Sequence, residues 1–150
     1  MSIAIALHLL AALIWIGGMF FAHMVLRLAV ETRDLEDKVH LWQEVLPRFF
    51  RWVWGAVVVL PLTGYWMAVT LYGNPFLATG SIRIMQVLGW SMILLFVGIY
   101  FTSYRSFQER MRQQLFPEAG LYLLRIRRVV TINLILGLLV AVIASAGRFL

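Results

Sequence analysis

Ile3-Ala-Ile-Ala-Leu-His8-Leu-Leu-Ala-Ala-Leu-Ile-Trp15-Ile-Gly17-Gly18-Met19-Phe-Phe-Ala-His23-Met24 decides the fold. A bilayer core needs about 20 consecutive apolar residues per helix, and this run is long enough to cross. Three further apolar blocks follow, so that the four together are Ile3–Leu26, Trp52–Tyr72, Ile84–Tyr104 and Val129–Ala146. The chain of 150 residues is 62% hydrophobic, where soluble domains sit near 45–50%. Mean hydropathy is +0.86. The pattern predicts an all-α integral membrane four-helix bundle, a single four-span domain over residues 1–150. The first block is too long for a signal h-region and lacks a basic n-region, so no cleavable signal is expected. There is no cysteine, hence no disulfide and no thiolate ligand.

Eleven of the 13 basic residues fall between blocks one and two (Arg27, Arg33, Lys38, Arg48, Arg51) or between blocks three and four (Arg105, Arg110, Arg112, Arg125, Arg127, Arg128). Arg83 and Arg148 lie on the other side. The positive-inside rule then predicts cytoplasmic basic loops and an N-out/C-out topology in a bacterial-type inner membrane. The net charge of +6 is thereby a topology signal, and nucleic acid is not an expected partner. The lipid bilayer is. Glu31 to Glu44 carries apolar residues at Leu35, Val39, Trp42, Val45 and Leu46, a spacing that suits an interfacial amphipathic helix. Gly73 to Ser81 has turn chemistry, and Phe116-Pro117-Glu118 is expected to break the second basic loop. Trp52, Trp54, Trp66, Tyr65, Tyr72 and Tyr104 fit an aromatic belt.

At about 100° per residue, His8, Ala11, Ala12, Trp15, Met19, Ala22 and His23 share one face of the first helix, with Gly18 on its edge. Leu10, Leu13, Ile14, Gly17, Phe20, Phe21 and Met24 share the other. Small residues allow transmembrane helices to pack closely, which points the histidine face inward. Asn133, Gly137, Ala144 and Gly147 form a similar face on the fourth helix, and a buried Asn133 needs a partner. The third helix lines up Met85, Gly89, Met92 and Phe96, with Gln86 and Tyr100 beside them.

Ionisable side chains are rare at membrane depth, which makes His8 and His23 the candidate site residues. They are 15 positions apart, roughly 22 Å along a helix axis, so they cannot share one ion. Met85, Gln86, Met92, Tyr65 and Met67 can stand near the level of His8. A His/Met set suits Cu(I), and a His/Met pair also holds haem iron. Met19 and His23, four apart, can present two ligands to one ion. Arg48 and Arg51 sit one turn apart and can hold haem propionates or a phosphate. The plainer reading of each is packing or interfacial anchoring. His40 is expected in solvent. The acidic residues all lie outside the apolar blocks, so a carrier built on a buried carboxylate is not expected. No Ser/His/Asp set or phosphate loop is present.

Leu7 to Phe21, followed by Arg27, resembles the first helix of the CopD-type copper-resistance membrane proteins. Arg127-Arg128-Val-Val-Thr-Ile-Asn133-Leu-Ile-Leu-Gly137 resembles the last helix of their small four-span members. Arg48-Phe-Phe-Arg51-Trp-Val-Trp and Leu62-Thr-Gly64-Tyr-Trp are similar to the same group. The resemblance implies a protein that binds or moves copper. Cu(I) would bind His8 with Met85 or Met67 and pass toward Met19 and His23. His8, Trp15, then glycine and phenylalanine, then Arg27 are also similar to the HemJ-type haem-binding protoporphyrinogen oxidases. That resemblance implies haem b with His8 as an axial ligand and an oxidoreductase; a methionine such as Met85 or a second protomer would supply the other axial ligand, and Arg51 would face a propionate. A structural subunit without cofactor, and a homo-oligomer formed through a Gly/Ala face, are the remaining readings.

Overall fold

Each apolar block lies inside a helix longer than itself. A computed structural model describes residues 1–73 and 80–146. The helices are α1 (Ser2–Ala29), α2 (Leu35–Tyr72), α3 (Gly80–Arg112) and α4 (Phe116–Ala146). All four are long and apolar enough to span a membrane, and the described residues contain no strand. The all-α four-helix transmembrane bundle is therefore the observed architecture. Of the turn expected over Gly73–Ser81, residues 74–79 lie outside the described residues, as do Gly147 and Arg148, and Gly80 and Ser81 already belong to α3.

Helix α1 packs chiefly on α2, and α3 on α4, with α4 also touching α1 and α2. The two faces read from α1 separate as expected. Ala11, Trp15 and Met19 are buried, whereas Leu10, Leu13, Ile14, Phe20, Phe21 and Met24 are exposed toward the lipid side. On α4, Asn133 and Gly137 are buried but Ala144 is exposed. Gly137 is a close-approach position, since a Cβ there would stand 2.9 Å from Ile16 and 3.2 Å from Met92. Asn133 is 3% exposed, and its Nδ2 donates to the Met92 carbonyl at 3.1 Å. This gives the amide N–H₂ a partner, while Oδ1 is buried without one among the described residues.

Three expectations are corrected, two of them at the basic end. Glu31 to Glu44 does not form a separate interfacial helix. From Leu35 onward it is the first part of the 38-residue α2. Its apolar stripe is covered by protein: Val39, Trp42 and Leu46 are buried with Phe107, Ala119 and Leu123 of α3 and α4. His40 accordingly lies on α2, exposed, with its ring 5.2 Å from that of Phe116. The second basic loop shrinks to residues 113–115. Gln114 there adopts φ 57°, and the Leu115 amide donates to the Arg110 carbonyl and the Gln114 amide to that of Met111. This is a Schellman-type helix stop with glutamine at the left-handed position. Pro117 follows in the first turn of α4, where its missing N–H costs nothing. Arg110 Nε and Glu118 Oε2, 3.1 Å apart, strap the two helices.

The third correction concerns aromatic residues. Trp52, Tyr65, Trp66 and Tyr72 are exposed, whereas Trp54 and Tyr104 are half-buried and packed against other rings of the bundle. Trp54 meets Phe96 and Tyr100 edge-on at 5.2 and 5.3 Å, and Tyr104 meets Phe50 at 4.9 Å. Phe50 joins Phe96, Tyr100 and Tyr104 into one edge-to-face cluster at the centre of the bundle.

Candidate metal-binding site at His8

His8 is half-buried on the face of α1 that packs on α2. Its Nδ1 lies 2.8 Å from Thr63 Oγ1. The Thr63 hydroxyl is already donated to the Val59 carbonyl, 2.6 Å away on the preceding turn. A hydroxyl has one proton, so Nδ1–H is the donor to Thr63. In the neutral ring Nε2 is then left with its lone pair. Gly64 makes room for the imidazole, because a Cβ there would stand 3.3 Å from Cε1.

Met67 is three residues beyond Gly64 and four beyond Thr63, hence one turn along the same face of α2. It is half-buried. Met85 and Gln86 are half-buried on α3. The register of α3 is fixed by Trp15 against Phe96 at 6.2 Å and by Trp90 Nε1, which donates to Tyr65 Oη at 3.1 Å. Counting along both helices from the Trp15–Phe96 contact puts Met85 about one turn nearer the chain termini than His8. Met92 is buried in the core, against Gly137.

His23 repeats the arrangement of His8 at the other end of α1. Its Nδ1 lies 3.2 Å from Thr131 Oγ1, and the Thr131 hydroxyl is donated to the Arg127 carbonyl at 2.9 Å. A π turn over Phe21–Leu26 begins between Met19 and His23. Met19 is 1% exposed within the core, whereas His23 lines a cavity with Arg27 and Arg127. Arg51 is exposed, and Arg48 pairs with Glu44 at 3.6 Å. Among the described residues no three of His, Cys, Asp or Glu come together as a metal-binding group. A metal at His8 would therefore rely on imidazole and thioether, the donor set of a soft ion such as Cu(I).

The fold and this site define a multi-pass membrane protein with an inward-facing histidine whose tautomer is set by a neighbouring helix. The chain belongs to the CopD family, copper resistance protein D, whose model matches residues 43–146. The match takes in α2 from Gln43, all of α3 and α4, and the Thr63 that orients His8. His8 itself lies before it. No match to a curated protein or to a solved structure was found. The CopD resemblance was legible from Arg48–Trp54, Leu62–Trp66 and Arg127–Gly137, which lie within the match, whereas Leu7–Phe21 lies before it. Thr63 and Thr131 were missed as histidine partners. Threonine within a span ordinarily bonds only its own helix, and no spacing signals the second role.

Proposed function

We propose that this protein binds copper within the membrane, with His8 Nε2 as the principal ligand. The observation that carries the proposal is the Thr63 contact. Metal-binding histidines characteristically donate their other ring N–H to an acceptor, which fixes the tautomer and orients the free nitrogen. Family membership supplies the metal. Met67, one turn along α2 from Thr63, and Met85, about one turn nearer the termini on α3, are the candidate thioethers for the rest of the set. The positive-inside rule supports an inner-membrane location with the basic end cytoplasmic and His8 toward the outer leaflet.

The charge around His23 argues against a second cation site there. Arg27 and Arg127 line the same cavity, and two guanidiniums oppose a copper ion as directly as carboxylates would favour one. The reading therefore rests on His8, with onward passage toward Met19 and His23 disfavoured. Haem b is the other group that a free Nε2 at this site can ligate.

The deciding experiment is metal analysis and a visible spectrum on the detergent-purified chain, with His8→Ala alongside. Copper retained near one equivalent in the wild type and lost in His8→Ala is the expected result. Unchanged copper stoichiometry in His8→Ala would sink the proposal. A Soret band with matching iron would replace it with the haem reading.

A further inference from the structure

A second site lies at the basic end, where α1, α2 and α4 enclose a cavity of about 30 Å³. Its walls are mostly apolar, with Leu46, Phe49 and Ile126 among them. Arg27 of α1, Arg127 of α4 and Trp42 of α2 border it as well, chiefly through their carbon atoms. Arg27 Nε and Trp42 Nε1 are buried donors with no hydrogen-bond partner in the chain. Trp42 as a whole is 7% exposed. Among the described residues neither arginine forms an ion pair. Glu31 acts on Arg127 only from beyond pairing distance. His23 lines the cavity too, but its Nδ1–H already goes to Thr131.

Two half-buried guanidiniums and an indole N–H among apolar walls are costly as they stand. Buried donors without acceptors lose hydration, and like charges in a low dielectric repel. One ligand class answers all three groups, an oxyanion with several acceptor oxygens. Guanidinium forks match phosphate geometry, and an indole N–H is a donor only. The cavity sits where the apolar part of α1 gives way to the basic end.

We infer that the cavity between Arg27, Trp42 and Arg127 is a binding site for a phosphate group. The phosphate comes from an anionic lipid headgroup or from free phosphate, and the site ties α1 to α4 and α2 through that group. This stands independently of what His8 binds.

The test uses the full chain, delipidated in detergent, and reads the thermal unfolding midpoint. Inorganic phosphate is titrated against chloride at equal ionic strength. In parallel the chain is reconstituted in phosphatidylcholine vesicles with and without phosphatidylglycerol. A saturable rise of several degrees is expected, since a ligand that binds only the folded state stabilises it. A rise with phosphatidylglycerol alone identifies the lipid headgroup as the source, and a rise with inorganic phosphate identifies the free ion. The rise should vanish in Arg27→Gln/Arg127→Gln and persist in Arg33→Gln/Arg128→Gln, which removes the same charge from exposed positions. No rise in the wild type with either probe overturns the inference. So does equal loss in both double variants, which would mean surface charge alone. Trp42→Phe keeps an aromatic ring and removes only the N–H, so it serves where the arginine variant does not fold. Apparent affinity should weaken roughly tenfold there, as for a lost hydrogen bond to a charged group. Wild-type affinity in Trp42→Phe also overturns the site.

Discussion

Thr63 Oγ1 accepts the Nδ1 proton of His8 at 2.8 Å across the α1–α2 interface, and this leaves Nε2 as the ring nitrogen with a free lone pair. The threonine does so because its own proton is held by the Val59 carbonyl one turn back. The backbone of α2 thus sets the tautomer of a side chain on α1.

Thr63→Val keeps the shape of the side chain and removes the acceptor. His8 remains, but its tautomer and ring angle are no longer fixed. Outer contacts of this kind typically contribute ten- to a hundredfold in metal affinity. Copper affinity should fall by about that factor in a competition titration with a Cu(I) chelator, while the helical circular-dichroism signal stays unchanged. Wild-type affinity in this variant would mean that the contact is packing only.

Gly64 tests the same site without touching a hydrogen-bonding group. A Cβ there would stand 3.3 Å from His8 Cε1, closer than relaxed contact, so the ring must shift by a few tenths of an ångström. Gly64→Ala should lower copper affinity by a smaller factor than Thr63→Val, and the bulkier Gly64→Val by a larger one than Gly64→Ala. Gly55 has open space where its Cβ would go, so Gly55→Ala is the matched control and should leave copper binding as it is. Equal affinities in all the glycine variants would show that the imidazole is not positioned by its seat on α2.

The sequence was most informative where one physical force acts on a whole face. Lipid outside and small residues inside sort α1 cleanly, and Ala11, Trp15 and Met19 are buried as the 3.6-residue period requires. The same logic reached Asn133, whose amide had to find a carbonyl. It fell short where one pattern fits two environments. The stripe Val39, Trp42, Leu46 is amphipathic whether lipid headgroups or neighbouring helices cover it, and here the helices do. The π turns over Phe21–Leu26 and Tyr100–Tyr104 leave no mark in composition, because they are slips of backbone hydrogen bonding. Arg27 and Arg127 were legible only as topology signals, since charge counting does not show that two helices bring them to one cavity.

The turn between α3 and α4 carries a correctable local cost. Gln114 holds φ 57° at the position where helices usually stop on glycine. A side chain there crowds the backbone by roughly 1 kcal/mol. Gln114→Gly relieves that crowding, and the greater freedom of glycine in the unfolded chain offsets part of the gain. The expected net effect is a stabilisation of up to about 1 kcal/mol, read as a higher unfolding midpoint in detergent. A lower midpoint would mean that the Gln114 side chain makes a contribution that outweighs its backbone strain.

Phe50 is where a single truncation should cost most. It is 2% exposed and meets the rings of Phe96, Tyr100 and Tyr104 edge-on, so it links α2 to α3 at the centre of the bundle. In a bilayer the transfer part of the hydrophobic effect is small, because an undocked helix still lies in lipid. The packing part remains. A cavity the size of a phenyl ring forfeits its dispersion contacts and the ring–ring terms with them. Phe50→Ala should therefore destabilise the protein by about 3 kcal/mol, near the lower end of the range for buried phenylalanine in water. Trp52, two residues on and 65% exposed, is the internal comparison. Its ring faces outward, and Trp52→Ala should change stability by less than about 0.5 kcal/mol. Unfolding midpoints measured in one detergent should separate the two variants clearly. If Trp52→Ala proved as damaging as Phe50→Ala, the outward ring would be held by something other than this chain, and the α2–α3 cluster would not be the centre of its stability.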